Sequence, residues 1–197
     1  MVRYAKEHKE ESRTRIVDAA GRGFRRQGFG GVGVDGLARE AGVTHGAFYG
    51  HFRSKTEAFR AAVVAGLGEL RGGVETLRAR TGDNWVKAFA EFYMGPKRTC
   101  EPGVACTVPS LSPDVERADA ETREAYQQEM KGVIAAIAAG LPGSPIEAEE
   151  RAWVLMSLLA GGVTLARAVP DQALSERIAA AISKAANVLS CELPPKD

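Results

Sequence analysis

Cysteine is scarce in this sequence: three residues in 197, an odd number and too few for a disulfide scaffold, which fits a reducing compartment. No pair of cysteines or histidines has metal-ligand spacing, so no metal site is expected and no cofactor is implied. Long apolar runs are missing as well. The longest, Val133–Leu141 and Val154–Val163, fall well short of the ~20 residues that span a bilayer. The charged start MVRYAKEHKEESRTR lacks the apolar segment of a signal peptide. A cytoplasmic protein with no membrane partner is expected. Net charge is almost absent too: 26 Lys+Arg against 25 Asp+Glu leave +1, which by itself does not single out a nucleic-acid binder. Strand alternation, internal repeats and low-complexity tracts do not occur. What remains, 45% hydrophobic and 26% charged residues, is the balance of an ordinary globular chain.

The near-zero charge conceals a split. Residues 1–60 hold 12 Lys+Arg and 7 Asp+Glu together with all three histidines, whereas residues 61–197 hold 14 and 18. That asymmetry suggests a basic partner-binding end on an acidic body. Within the basic end, Ile16, Ala20, Gly23 and Phe24 share one face of a helix from Lys9 to Gln27. Gly28 ends that helix, and the glycine-rich run to Gly33 reads as a loop. The run matches G-x-G-x-x-G, but a helix rather than a strand precedes it, which argues against a dinucleotide site. A short helix Val34–Ala41 follows, closed by Gly42, and a second starts at Thr44, an N-cap residue type. The second carries Ala47, Phe48 and Phe52 inward and leaves Thr44, His45, Gly46, Tyr49 and His51 facing out. Two short helices around a glycine-containing turn, in a basic segment, describe a helix-turn-helix.

Downstream, Ser54 caps a helix from Lys55 to about Arg80, and Asn84–Met94 is the most aromatic helix. Pro96, Pro102, Pro109 and Pro113 make 95–114 irregular. Helices Glu116–Leu141, Ile146–Val169 and Gln172–Cys191 complete the chain, the last with Ile178, Ala181, Ile182, Ala185 and Leu189 on one stripe. The expected fold is all-α with about nine helices: a three-helix head over 1–53 and a helical body over 54–197. Helices 146–169 and 172–191 are apolar enough to need cover from a second copy, so a homodimer through them is expected, with an internal core as the alternative.

The run Gly28-Phe29 … Val34-Asp-Gly-Leu37-Ala38-Arg-Glu-Ala41-Gly42-Val43-Thr44-His-Gly46-Ala47-Phe48-Tyr49-Gly-His51-Phe52-Arg-Ser54-Lys55-Thr-Glu57-Ala-Phe59 resembles the DNA-binding domain of the tetracycline-repressor (TetR) family. The resemblance covers roughly residues 12–60 and is architectural only beyond them. It implies a homodimeric, non-enzymatic regulator, usually a repressor, that holds a palindromic operator on double-stranded DNA and is released by an effector bound in the body. On that footing Thr44 meets a phosphate with the helix N-terminus, Gly46 lets the helix approach closely, and His45 and Ala47 face base edges. Tyr49, His51 and Lys55 suit phosphate contact, and Arg3, Lys6, Lys9 and Arg13 add to it or remain a solvated tail. Gly33 departs from the usual Ser or Thr cap. Gly50 lies inside the recognition helix at a cost of about 1 kcal/mol relative to Ala, so full ordering of that helix only on DNA is expected.

Two sets of residues compete for the effector. Trp85, Phe89, Phe92, Tyr93, Tyr126, Met130 and Met156 would line an apolar cavity or simply fill the core. Cys100 and Cys106, in a loop after Lys97 and Arg98, would sense an electrophile or oxidant, or serve as an incidental and a buried thiol. Two rival functions stand beside the regulator: a thiol-based redox enzyme at Cys100, and a small-molecule carrier with no DNA role.

Overall fold

The computed structural model describes residues 2–189, with side chains from Glu10 onward. Ten α-helices and two short 3-10 turns make up the described residues, and no strand occurs among them. In order the helices are α1 (Val2–Gly31), α2 (Val34–Glu40), α3 (His45–Tyr49), α4 (Lys55–Thr81) and α5 (Trp85–Met94). They continue with α6 (Pro96–Thr99), α7 (Thr107–Glu116), α8 (Ala120–Ala138), α9 (Pro145–Ala168) and α10 (Gln172–Val188). None is long and apolar enough to cross a membrane. The expected C-terminal helix end at Cys191 lies outside the described residues.

The chain divides into two compact units. The first joins the residues up to Leu67 with Glu101–Gln127; the second joins Gly68–Cys100 with the residues from Gln128 onward. These units are drawn differently from the boundary at 53/54 read from the sequence, because the proline-rich segment folds onto the basic head.

In the first unit, Ile16, Phe24, Leu37, Phe48, Phe52 and Phe59 are fully buried. The Phe24 and Phe29 rings each lie 5.1 Å from Phe59, with edges turned to faces. Gly28 does break α1, with φ at +71°, but a helical turn resumes through Gly31 rather than a loop. The left-handed kink frees the Phe29 N–H, which donates to Asp114 Oδ2 at 2.8 Å. Residues 95–114 are not irregular. They hold α6, the 3-10 turn Pro102–Val104 and α7. Pro96 and Pro102 each sit in a first turn, where a helix has no use for the missing N–H. Pro113 does lie inside α7, whose Leu111 and Val115 are buried nonetheless.

Two adjacent arginines of α1 hold that segment. Arg25 Nε donates to the Gly103 carbonyl at 2.6 Å, and Arg26 Nε to Glu101 Oε1 at 2.6 Å. Arg26 also reaches Glu40 of α2 at 2.7 Å, an acceptor shared with Arg22. The acceptors Glu101 and Glu40 raise the proton affinity of the Arg26 guanidinium above its ordinary value. Helix α8 starts at Ala120, four residues later than Glu116, because Asp119 accepts the Thr122 N–H at 2.7 Å and caps it.

In the second unit, Trp85, Phe89 and Tyr93 line the buried face of α5, the first pair stacked with centroids 6.2 Å apart and the second edge-to-face at 5.3 Å. Trp85 Nε1 donates to the Gly140 carbonyl, and Arg78 to the carbonyls of Ala136 and Ala139, at the C-terminal end of α8. A Ser144–Glu147 capping box opens α9. The fully buried residues of α10 are small, Ser175, Ala179 and Ala186; of the expected stripe Ile178, Ile182 and Leu189 are half-buried and only Ala181 and Ala185 are exposed. Ser175 stays buried because its hydroxyl donates to Ala166 and accepts from Arg98. At the same seam Gly162 of α9 touches Ile182, where a Cβ would come within 2.7 Å.

Gly66 of α4 faces Thr107 so closely that any Cβ would collide with its hydroxyl, whereas one on Gly73 meets nothing within 4 Å. Gly66→Ala should therefore destabilise the protein by about 1–3 kcal/mol through overpacking. Gly73→Ala should stabilise it by about 0.5–1 kcal/mol through helix propensity. Urea unfolding of the two variants checks both signs.

Candidate nucleic-acid interface

The head builds its outward helix from one turn and two phenylalanines. Gly42 takes φ +66°, a conformation that costs a residue with a side chain, and its N–H closes on the Arg39 carbonyl at 3.1 Å. Thr44 then caps α3, its Oγ1 accepting the Ala47 N–H at 3.1 Å. Phe48 and Phe52, one turn apart, are buried and fix the inward side of α3. Ala47 lies about 100° around the helix from Phe48. It is exposed, not inward. Thr44, His45, Gly46, Ala47 and Tyr49 thus share the open side, and His51 is half-buried. Gly50 caps the end of α3 rather than occupying its interior, so the penalty expected for a mid-helix glycine does not fall there. Ser54 and Glu57 form a reciprocal cap on α4, Ser54 Oγ accepting the Glu57 N–H and Glu57 accepting the Arg53 N–H. Gly33 caps α2 without a side-chain bond, as read from its residue type.

The charges are less free than a sequence suggests. Lys55 Nζ stands 4.3 Å from the Phe29 ring centroid, and the Arg13 guanidinium 5.0 Å from that of Phe52. His45 packs against Tyr49, ring centroids 5.0 Å apart, and its Nδ1 lies 2.5 Å from Asp35 Oδ1 of α2. Asp35 carries no motif signal of its own. The turn between the helices brings it to His45 across ten positions, and an acidic residue in a basic surface is the one clue the sequence offers. The side chains of Arg3, Lys6 and Lys9 lie outside the described residues.

Trp85, Phe89, Tyr93, Met130 and Met156 are buried in the second unit. Phe92 is 45% exposed, with Lys97 Nζ 5.7 Å from its ring centroid. Tyr126 belongs to the first unit and donates its hydroxyl to Ser112 Oγ at 2.8 Å; burial pushes its phenol pKa up. A cavity of about 540 Å3 lies in the first unit, lined by Phe29, Thr56, Phe59, Asp114, Arg117 and Asp119, none of them among the expected residues. Cys106 is buried and Cys100 half-buried. Arg167 of α9 donates to the carbonyls of Lys97 and Cys100 at 2.9 and 3.2 Å and places a guanidinium nitrogen 3.6 Å from Cys100 Sγ. No cluster of three or more His, Cys, Asp or Glu fit to hold a metal occurs among the described residues.

Comparison with known proteins follows the same division. Residues 16–62 match the family described as bacterial regulatory proteins, tetR family. The transcriptional regulator SrpR of Pseudomonas putida is 43% identical over 65 residues, 33% of this chain and 30% of that protein. The regulator TtgR, also of Pseudomonas putida, is 43% identical over 61 residues, 31% and 29% of the two chains. The aligned part therefore spans less than a third of these relatives. In fold, reduced NemR of E. coli matches with a TM-score of 0.76 at 19% identity over 92% of this chain and 97% of its own. FadR of Bacillus subtilis, solved with stearoyl-CoA, matches with a TM-score of 0.67 at 13% identity over 92% and 99%. Sequence similarity to the tetR family of bacterial regulatory proteins is thus carried by the helix-turn-helix at residues 16–62, and beyond it the likeness is one of fold.

Proposed function

We propose that this protein is a DNA-binding transcriptional regulator, a repressor that grips a palindromic operator as a homodimer and leaves it when an effector binds. The observation that carries the reading is α3. A five-residue helix, capped by Thr44 and anchored by Phe48, turns His45, Gly46, Ala47 and Tyr49 to the outside. Its free N-terminal amides suit a phosphate, and its exposed side chains suit the major groove. Functionally the chain reads as a DNA-binding head over 1–53 and a ligand-binding, dimerising body over 54–197, working in the cytoplasm.

The homodimer is assigned to helices 146–169 and 172–191. Ile146, Trp153, Val154 and Leu165 of α9 and Leu174 and Val188 of α10 are exposed, an apolar surface that a second copy would cover. SrpR and TtgR carry the name of transcriptional regulators, and FadR was solved with stearoyl-CoA. A small apolar effector in the body is in keeping with these relatives. The second reading, an electrophile or oxidant acting at Cys100, is favoured by the half-buried sulfur lying 3.6 Å from a guanidinium nitrogen of Arg167. Cys106, buried at the start of α7, suits a packing role.

Selection from random duplexes with the purified protein should enrich a palindrome; enrichment of none overturns the regulator. Affinity should fall with salt at a log–log slope of roughly −0.9 per neutralised phosphate. Tyr49→Ala and Lys55→Ala should weaken binding to every sequence, and Lys55→Ala should shallow the slope if the lysine leaves Phe29 for a phosphate. An unchanged slope would confine Lys55 to the aromatic face.

If Cys100 is the sensor, Cys100→Ser should stay on operator when an oxidant or electrophile is added, while the native protein dissociates. Normal release of the serine variant would return the effector site to an apolar pocket.

A further inference from the structure

The contact between His45 and Asp35 joins the first turn of α2 to the first residue of α3, on the surface assigned to DNA. An ionised aspartate only accepts hydrogen bonds, so at 2.5 Å the proton between them belongs to Nδ1 of the imidazole. A neutral imidazole carries one proton. With that proton committed to Asp35, Nε2 keeps a bare lone pair. Tyr49 packs beside the ring and narrows its rotation, while His45 remains 57% and Asp35 79% exposed in their side chains. Nothing in the protein takes up the Nε2 lone pair among the bonds described.

Resting on the reading of this surface as the DNA interface, we infer that Asp35 is a positioning residue for base readout. It fixes His45 in the Nδ1–H tautomer, so that Nε2 accepts a hydrogen bond from an exocyclic amino group in the major groove. Only two bases present such a donor there, adenine through N6 and cytosine through N4. Guanine and thymine offer acceptors at the same edge, which a bare Nε2 disfavours. The acidic residue in the basic head thereby has a use: it gives up some attraction for phosphate to decide which face of the histidine is a donor. A merely structural Asp35, stabilising the N-terminus of α2, would weaken binding to all sequences alike.

The test is a cycle at about pH 8, where imidazoles are neutral. Operator selected by the native protein is remade with the amino group removed at the pair that His45 variants no longer discriminate. Purine replaces adenine in one arm, and pyrimidin-2-one replaces cytosine in the other. The native protein should lose about five- to tenfold in affinity in one arm, the low end of a base contact, and that arm names the base. Asp35→Ala should be indifferent to the amino group, whereas the isosteric Asp35→Asn, whose amide oxygen can still accept from Nδ1–H, should keep part of the dependence. The 15N shifts of the His45 ring in the free protein should show a protonated Nδ1 and a bare Nε2. In Asp35→Ala they should move toward the Nε2–H form that a free imidazole prefers. Equal amino-group dependence in the native protein and Asp35→Ala, or a native ring protonated at Nε2, overturns the inference and leaves the regulator intact. A native protein that selects no sequence overturns the regulator itself.

Discussion

The burial of Phe48 is what the outward surface of α3 depends on. A helix of five residues has no stability of its own in water, since nucleation alone costs more than its few hydrogen bonds return. Helix α3 persists because Phe48 and Phe52 close onto the core that holds Ile16, Phe24, Leu37 and Phe59, all excluded from water. The same two rings orient the helix. With Phe48 and Phe52 pointing in, His45, Ala47 and Tyr49 have only the outside left. Thr44 and Gly42 add local definition, one by capping and one by the left-handed turn that lets the chain reverse between α2 and α3. Position and chemistry of the outward surface thus follow from an apolar contact on the hidden side.

Much of this was legible in the residues. Gly28, Gly42, Thr44 and Ser54 punctuate the chain where their backbone preferences require, and the helix starts at Val34, Lys55 and Gln172 agree with the reading. Proline misled it. Counting Pro96, Pro102, Pro109 and Pro113 as helix breakers overlooked that a proline near a helix start forfeits no hydrogen bond, so 95–114 folds as short helices. Periodicity found part of the packed side of α10: Ile182 meets Gly162, while the small residues Ala179 and Ala186, which an apolar stripe does not mark, are the ones buried outright.

The candidate site was readable to a similar depth. Residue types and spacing located the outward helix, yet they placed Ala47 on the wrong side because Ala is compatible with either. They passed over Asp35 altogether. Its contact with His45 arises from the angle between two helices, which local pattern does not encode. The aromatic and methionine residues are grouped by chemistry alone: Tyr126 belongs to one compact unit, Trp85, Phe89, Tyr93, Met130 and Met156 to the other, and Phe92 faces water.

The arginine pair of α1 bears on how such regulators trade parts. Arg25 and Arg26 grip Gly103 and Glu101, and the Phe29 amide takes Asp114, so the basic head is completed by a stretch of chain more than thirty residues further on. A single recombination crossover after residue 53 would carry off the arginines and leave their acceptors behind. The heritable module is discontinuous: residues up to Leu67 together with Glu101–Gln127. A head moved without that second stretch would lose the partners of Arg25, Arg26 and the Phe29 amide.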